Sequence, residues 1–212
     1  MTVRTLTNNP IQENTYILSF ADQTAVIIDC GAYEPFEQQR MADYIARNGL
    51  RPVAHLLTHG HFDHCFGVRF VWETYGLKPV LSEADAVLYQ NRGRQMALFL
   101  GEDGNEAPFN EYIPAKDFDF RAIHAQLLPT PGHTPGGVCY LFREDGQQVL
   151  FSGDTLFSGS VGRTDLGGGN MLTLLDSIRR QLLTLPDLVT VYPGHGPHTT
   201  IGQERLHNLY LN

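Results

Sequence analysis

The run Thr58-His59-Gly60-His61-Phe62-Asp63-His64 packs four potential metal ligands into six positions, and no other feature of the chain constrains it as much. A neutral imidazole offers a nitrogen lone pair and an aspartate a carboxylate oxygen, so His59, His61, Asp63 and His64 are all competent donors. Four donors this close exceed what one small cation takes when it also draws ligands from elsewhere. They suit two adjacent ions, with His59 and His61 on one and Asp63 and His64 on the other. Gly60 lets the backbone turn so that the first two histidines point the same way. A fold that serves this run must bring further ligands from distant parts of the chain.

Three later segments carry such ligands. Pro131-Gly-His133-Thr-Pro-Gly136 and Tyr192-Pro-Gly-His195-Gly-Pro197 present histidines on stiff Gly/Pro turns, which hold a side chain without a regular element around it. Phe151-Ser-Gly-Asp154-Thr155 supplies a short carboxylate suited to bridging two cations and offsetting their repulsion. His55, His124, His198 and His207 read as surface or capping residues. Asp29 and Thr155 are candidates for orienting the ligating histidines, and Asp29 reads equally well as a turn cap. Arg163 and Asp165, in a Gly-rich stretch, read as an ion pair or as lining of a cleft entrance, and Cys65 as a small buried hydrophobe.

Hydrophobic periodicity and turn residues place the ligands on a framework. Strands are expected over 15–20 and 24–29, with a helix over 35–48 stopped by Gly49. A strand over 55–58 runs into the histidine cluster, followed by a helix over 68–75 and a strand over 79–82. A helix over 83–101, bent around Gly93, precedes an irregular loop over 102–120 with one edge strand. The second half has a strand over 124–128 and a hairpin, 138–142 with 148–151, across Asp145-Gly146. A helix over 172–185, a strand over 188–192 and a helix over 202–210 complete it. His59, His133, Asp154 and His195 each follow the carboxyl end of an expected strand, so ligands far apart in sequence can converge on one edge of the fold. No low-complexity linker interrupts the chain, and a single domain over 1–212 is expected.

The charge balance narrows the partners. With 23 acidic against 15 basic residues, a net charge of -8 and only two lysines, Lys78 and Lys116, the chain is ill suited to gripping nucleic-acid phosphates. Three cysteines, Cys30, Cys65 and Cys139, without a CxxC pair, argue against a disulfide framework and for a reducing compartment. No apolar leader opens the sequence, and no run approaches the ~20 apolar residues a membrane span needs. A cytoplasmic protein that acts on a small molecule, without nucleic acid or membrane, as a monomer or small homo-oligomer, is the expectation.

Taken together, Thr58-His-Gly-His-Phe-Asp-His64, Pro131-Gly-His-Thr-Pro-Gly136, Ser152-Gly-Asp-Thr155 and Pro193-Gly-His-Gly196 resemble the metallo-β-lactamase superfamily, in its order and across nearly the whole chain. The resemblance implies an α+β fold, an αβ/βα four-layer sandwich of two mixed sheets face to face with helices outside. It implies a first metal on His59, His61 and His133, a second on Asp63, His64 and His195, and Asp154 bridging them. Two divalent ions, zinc before iron or manganese, would share a nucleophilic hydroxide, with Asp63 and Asp154 as the catalytic carboxylates. Phe151-Ser-Gly-Asp-Thr-Leu-Phe157 with Gly162-Arg-Thr-Asp165, and the segment 199–208, resemble short glyoxalase II-like proteins. That points to hydrolysis of a thioester such as S-lactoylglutathione. Larger glyoxalase II enzymes carry a basic C-terminal helical region that grips glutathione, and this sequence ends at Asn212 with few basic residues there. A glutathione-independent thioesterase, a lactonase and a single-iron persulfide dioxygenase are the alternatives.

Overall fold

A computed structural model describes residues 1–101, 110–116, 118–120 and 123–212. Contacts divide it into two compact units, one of Met1–Leu81 with Ala86–Pro114 and one of Ser82–Asp85 with Ala115–Asn212.

The first unit is a mixed six-stranded sheet. Its strands, in spatial order, are β1 (Thr2–Asn8), β2 (Glu13–Ser19), β3 (Thr24–Ile28), β4 (Arg51–Leu56), β5 (Pro79–Leu81) and β6 (Ile113–Pro114). The first three pair antiparallel, and β3 through β6 pair parallel. All five residues of β3, Thr-Ala-Val-Ile-Ile, are buried, as a central strand covered on both faces requires. Helix α1 (Pro35–Arg47) starts with proline at its first position, and Glu37 accepts the backbone N–H groups of Tyr33 and Glu34. Its Met41 and Ile45 join Leu6, Ile17, Ile27 and Val71 in one apolar cluster. Helix α2 (Val68–Tyr75) ends where expected, on Gly76 at φ 69°.

The region over 83–101 departs from expectation. A 3-10 turn (Glu83–Asp85) leads into α3 (Ala86–Gln90), and α4 (Arg92–Leu100) follows, so the break falls at Asn91 and not at Gly93. The Asn91 side chain donates to the Val87 carbonyl at 2.8 Å and Arg92 donates to the Tyr89 carbonyl, which closes α3 with polar groups that compete with helix continuation. Of the loop expected over 102–120, residues 102–109 and 117 lie outside the described residues, and the rest holds two short strands where one was expected.

The second unit carries β7 (Phe118–Phe120), β8 (Ile123–Pro129), β9 (Val138–Glu144), β10 (Gln147–Gly153), the small hairpin β11 (Leu156–Phe157) with β12 (Ser160–Val161), β13 (Thr190–Pro193) and β14 (Thr199–Thr200). The main sheet runs β14-β13-β10-β9-β8-β7. The β9–β10 turn sits on Asp145 at φ 48° and Gly146 at φ 77°, the paired positive φ of a two-residue hairpin loop. Helix α5 (Met171–Ser177) passes into a π-helical turn (Ile178–Leu182), so the helix expected over 172–185 is shorter and changes hand-hold midway. Helix α6 (Ile201–His207) starts on Thr200, whose hydroxyl accepts the Gln203 N–H. Among the described residues, no helix is long and apolar enough to cross a membrane.

One histidine contradicts its expected surface role. His124, His198 and His207 are exposed, but His55 is fully buried within β4. Burial disfavours the imidazolium and lowers its pKa from 6.5 to about 3, only partly opposed by the Asp29 backbone. Below pH 6.5 the unfolded chain therefore takes up a proton that the folded chain refuses, and stability present above that pH is lost as pH falls. His55→Leu removes this loss. Urea unfolding at pH 7 and pH 5 should show the variant gaining roughly 2 kcal/mol relative to wild type over that interval; an unchanged difference would show that His55 titrates normally in the fold.

Candidate metal centre

In the first unit the strands dictate where the polar groups collect. β1 and β3 both run antiparallel to β2, and β4 runs parallel to β3, so their carboxyl ends emerge at one edge of the sheet. Asn9 follows β1, Asp29 follows β3, and His59 follows β4 by three residues. His59, His61, Asp63 and His64 are all buried, with Phe62–His64 forming a 3-10 turn. The His59 ring lies 4.8 Å from that of His61 and 4.1 Å from that of His64, centroid to centroid. His64 Nε2 stands 3.8 Å from Asp63 Oδ2.

Asp29 organises this group and is no mere turn cap. Its Oδ1 accepts the Thr58 N–H at 2.7 Å, and its Oδ2 faces both the Thr58 hydroxyl at 2.7 Å and His64 Nδ1 at 2.9 Å. The Thr58 hydroxyl has one proton and gives it to Asp29, so at 3.1 Å it accepts from His59 Nδ1. Both rings are thereby held in the tautomer that protonates Nδ1 and leaves the Nε2 lone pair for a ligand. Asp29 itself adopts φ 54°, a left-handed conformation that aspartate tolerates better than most residues.

Two groups that the sequence did not flag sit behind the ligand loop. Glu13 is fully buried; its Oε2 accepts from Thr15 Oγ1 at 2.8 Å and from the Gly31 N–H at 3.0 Å. Burial raises its carboxyl well above the ordinary range. Glu13, Asp29 and His64 cluster within 4.8 Å. The direct hydrogen bond between Asp29 and His64 makes this a supporting group and not an ion site of its own. Gly31 packs so tightly that a Cβ there would meet Glu13 Oε2, Asn9 Nδ2 and the Asp63 carbonyl. Cys65 is buried beside Leu57, Val68, Leu81 and Tyr89, as a small apolar residue would be.

The second unit gathers its candidate ligands by the same logic. β8 and β10 are both antiparallel to β9, and β10 is parallel to β13, so His133, Asp154 and His195 all follow strands that end at one sheet edge. His133 Nδ1 donates to the Arg163 carbonyl at 2.7 Å, which leaves Nε2 as the ligand atom. Asp154 Oδ2 lies 3.6 Å from His133 Nε2 and 3.7 Å from His195 Nε2. The His133 loop is gripped by Asp85, buried and missed by the sequence reading, which accepts from Thr134 Oγ1 at 2.8 Å and the Gly136 N–H at 2.6 Å. In the sequence Asp85 shows only as an acidic residue near a helix start. The Gly194 N–H donates to the Gly153 carbonyl and ties the His195 turn to the Asp154 turn.

Thr155 departs from its expected role, and the ion-pair reading of Arg163 and Asp165 is met. The Thr155 hydroxyl bonds Thr130 at 3.1 Å and so braces the start of the His133 loop rather than an imidazole. Arg163 and Asp165 form an exposed forked ion pair, 2.6 and 2.8 Å, that lowers Asp165 to about 2. The contribution of Arg163 to the ligand set is its main-chain carbonyl.

The separations themselves are diagnostic. Distances of 3.6, 3.7 and 3.8 Å between Nε2 and carboxylate atoms are too long for hydrogen bonds. Ligand atoms placed ~2.0–2.2 Å from a shared tetrahedral ion stand about 3.3–3.6 Å apart, close to what is seen. Nitrogen and carboxylate donors in this arrangement suit a divalent cation. The tautomer argument predicts that Asp29→Asn, with one acceptor oxygen for three donors, weakens metal binding about 10–100-fold, nearly as much as Asp29→Ala. Competition with a chelator measures it, and wild-type affinity in Asp29→Asn would show that the carboxylate does not orient the ligands.

Comparison with known proteins agrees with this geometry. A family model described as the metallo-beta-lactamase superfamily matches residues 8–195. The probable metallo-hydrolase YqgX of Bacillus subtilis (strain 168) is 38% identical over 96% of this chain and 94% of its own. Hydroxyacylglutathione hydrolase GloC of Haemophilus influenzae (strain ATCC 51907 / DSM 11121 / KW20 / Rd) is 34% identical over 100% of this chain and 99% of its own. Among solved structures, the BLEG-1 B3 metallo-beta-lactamase aligns with a TM-score of 0.90 at 35% identity, and TTHA1623 in a di-iron-bound form with 0.83 at 36%, each covering 100% of both chains. The two mixed sheets with their helices are thus the α+β metallo-β-lactamase fold, and the chain belongs to the metallo-β-lactamase superfamily.

Proposed function

We propose that this chain is a two-metal hydrolase that cleaves thioesters of the hydroxyacylglutathione class. The observation that carries the reading is the set of imidazole and carboxylate atoms 3.6–3.8 Å apart, with His64 Nδ1 and His133 Nδ1 already committed to other acceptors. In this reading His59, His61 and His133 hold one ion, Asp63, His64 and His195 hold the other, and Asp154 serves both. The pairing follows the family to which the chain belongs, and the di-iron form of TTHA1623 supports two ions and admits iron beside zinc. The thioester substrate is supported by GloC, similar over its whole length, and by the segment Phe151-Ser-Gly-Asp-Thr-Leu-Phe157.

When bound, such a pair of divalent ions supplies Lewis acidity and lowers the pKa of water toward ~7. The protein's own groups do the rest. Asp63 accepts a hydrogen bond from the attacking water and aims its lone pair at the thioester carbonyl carbon. The water gives one proton to solvent at that lowered pKa, a C–O bond forms, and the C–S bond breaks with its electron pair leaving on sulfur. The departing thiolate, with a thiol pKa of about 8.5, leaves without a dedicated acid. Asp154, between two imidazoles, supplies negative charge that offsets the cations. His195, with 23% of its side chain exposed, is the most accessible ligand, so substrate meets the centre from its side.

The test is hydrolysis of S-lactoylglutathione beside simple lactones, with elemental analysis of the same sample. About two ions per chain and preferential thioester cleavage are expected. Asp63→Ala and His133→Ala should each lower the rate by at least about 10²-fold while keeping wild-type circular dichroism. Full activity in a chelator-stripped preparation, or lactones cleaved in preference, contradicts the proposal.

A further inference from the structure

The loop between β1 and β2 makes an unusual use of one asparagine. Asn9 Nδ2 donates to the Gly31 carbonyl at 3.0 Å and to the Asp63 carbonyl at 3.1 Å, one N–H for each. Its Oδ1 accepts the Ile11 N–H at 3.0 Å, and its own N–H donates to Glu37 Oε1 at 2.6 Å. Every polar group of the residue is therefore engaged, and the side chain joins three segments that are distant in sequence. The backbone is held at φ 52°, a left-handed value that asparagine tolerates better than most residues.

The neighbouring carbonyl is fixed too, since the Cys30 N–H donates to the His64 carbonyl at 2.9 Å. Upstream, the loop is held differently, by Thr58 on Asp29 and by the Phe62 N–H on Gln95 Oε1 at 3.3 Å. Asn9 thus acts on the Asp63 end of the loop and not on the His59–His61 end.

We propose that Asn9 is a positioning residue for Asp63: by holding the Asp63 carbonyl against Gly31, it sets the reach of the Asp63 carboxylate toward its ion. The inference rests on the two-metal reading above and deepens it, because it predicts unequal loss of the two ions.

The test uses the full chain with Asn9→Gly, which keeps the positive φ and deletes the amide, and Asn9→Asp, which keeps the acceptor and deletes the donor. Ile11→Ala, in the same loop but without a bond to the ligand run, is the comparison variant. Each is stripped, checked by thermal unfolding, and titrated with Co²⁺ against a competing chelator while the visible spectrum is recorded. Both Asn9 variants should fold, bind the tighter equivalent as wild type does, and bind the second at least about tenfold more weakly, with Ile11→Ala unchanged. Wild-type affinity for both equivalents, or equal weakening of both, overturns the positioning role. A wild-type chain that takes up fewer than two equivalents overturns the two-metal reading and this inference with it.

Discussion

Three donors meet on the Asp29 carboxylate: the Thr58 N–H, the Thr58 hydroxyl and His64 Nδ1. Through Thr58 the same carboxylate also governs His59. A histidine ligand is useful only when the right nitrogen carries the lone pair, and the free-energy difference between imidazole tautomers in water is too small to guarantee it. A buried acceptor with no proton to give removes the ambiguity for both rings at once. The cost is a left-handed aspartate at the end of a buried strand, a conformation that persists because the surrounding hydrogen bonds over-determine it. The second unit solves the same problem with a main-chain carbonyl, that of Arg163, on His133.

Sheet topology does the remaining positioning. In each unit the candidate ligands follow strands that end at one edge, on short loops held by buried polar groups rather than by helices. Glu13, Asn9 and Glu37 serve the first unit's loop, and Asp85 with Gly136 the second's. Burial of these carboxyls and amides is tolerated because each residue finds at least one backbone partner, although Glu13 Oε1 is buried without one; a wholly orphaned group at the same depth would cost about 1–3 kcal/mol. The rigidity of the ligand loops is thus a property of their satisfied hydrogen bonds.

Much of this was legible in the sequence because it follows from local rules. The donor run, the Gly/Pro turns at His133 and His195, the Asp145-Gly146 hairpin and the Gly76 stop each announce themselves over a few residues. What escaped depends on tertiary pairing. β1 shows no apolar alternation because only Leu6 and Asn8 of its seven residues are buried, so an edge strand looked like a polar terminus. His55 appeared superficial because nothing adjacent in sequence reveals that β4 begins at Arg51, opposite Thr24 of β3, and buries it. Asn91 displaced Gly93 as the helix break because a side chain reaching back to Val87 outcompeted the flexibility of glycine. Asn9 and Asp85 were invisible for a further reason: their partners lie 54 and 49 residues away. The roles of Asp29 and Thr155 were separable only by coordinates, one on the imidazoles and the other on Thr130.

The chemistry of the site turns on one proposal, a pair of divalent ions held on these side chains. Anomalous diffraction at the absorption edge of the loaded metal, from crystals of the metal-replete protein, tests it most directly. Two anomalous peaks per chain about 3.5–4 Å apart are expected, one against His61 and one against His195, with Asp154 reaching both. A single peak, or peaks away from these residues, would contradict it.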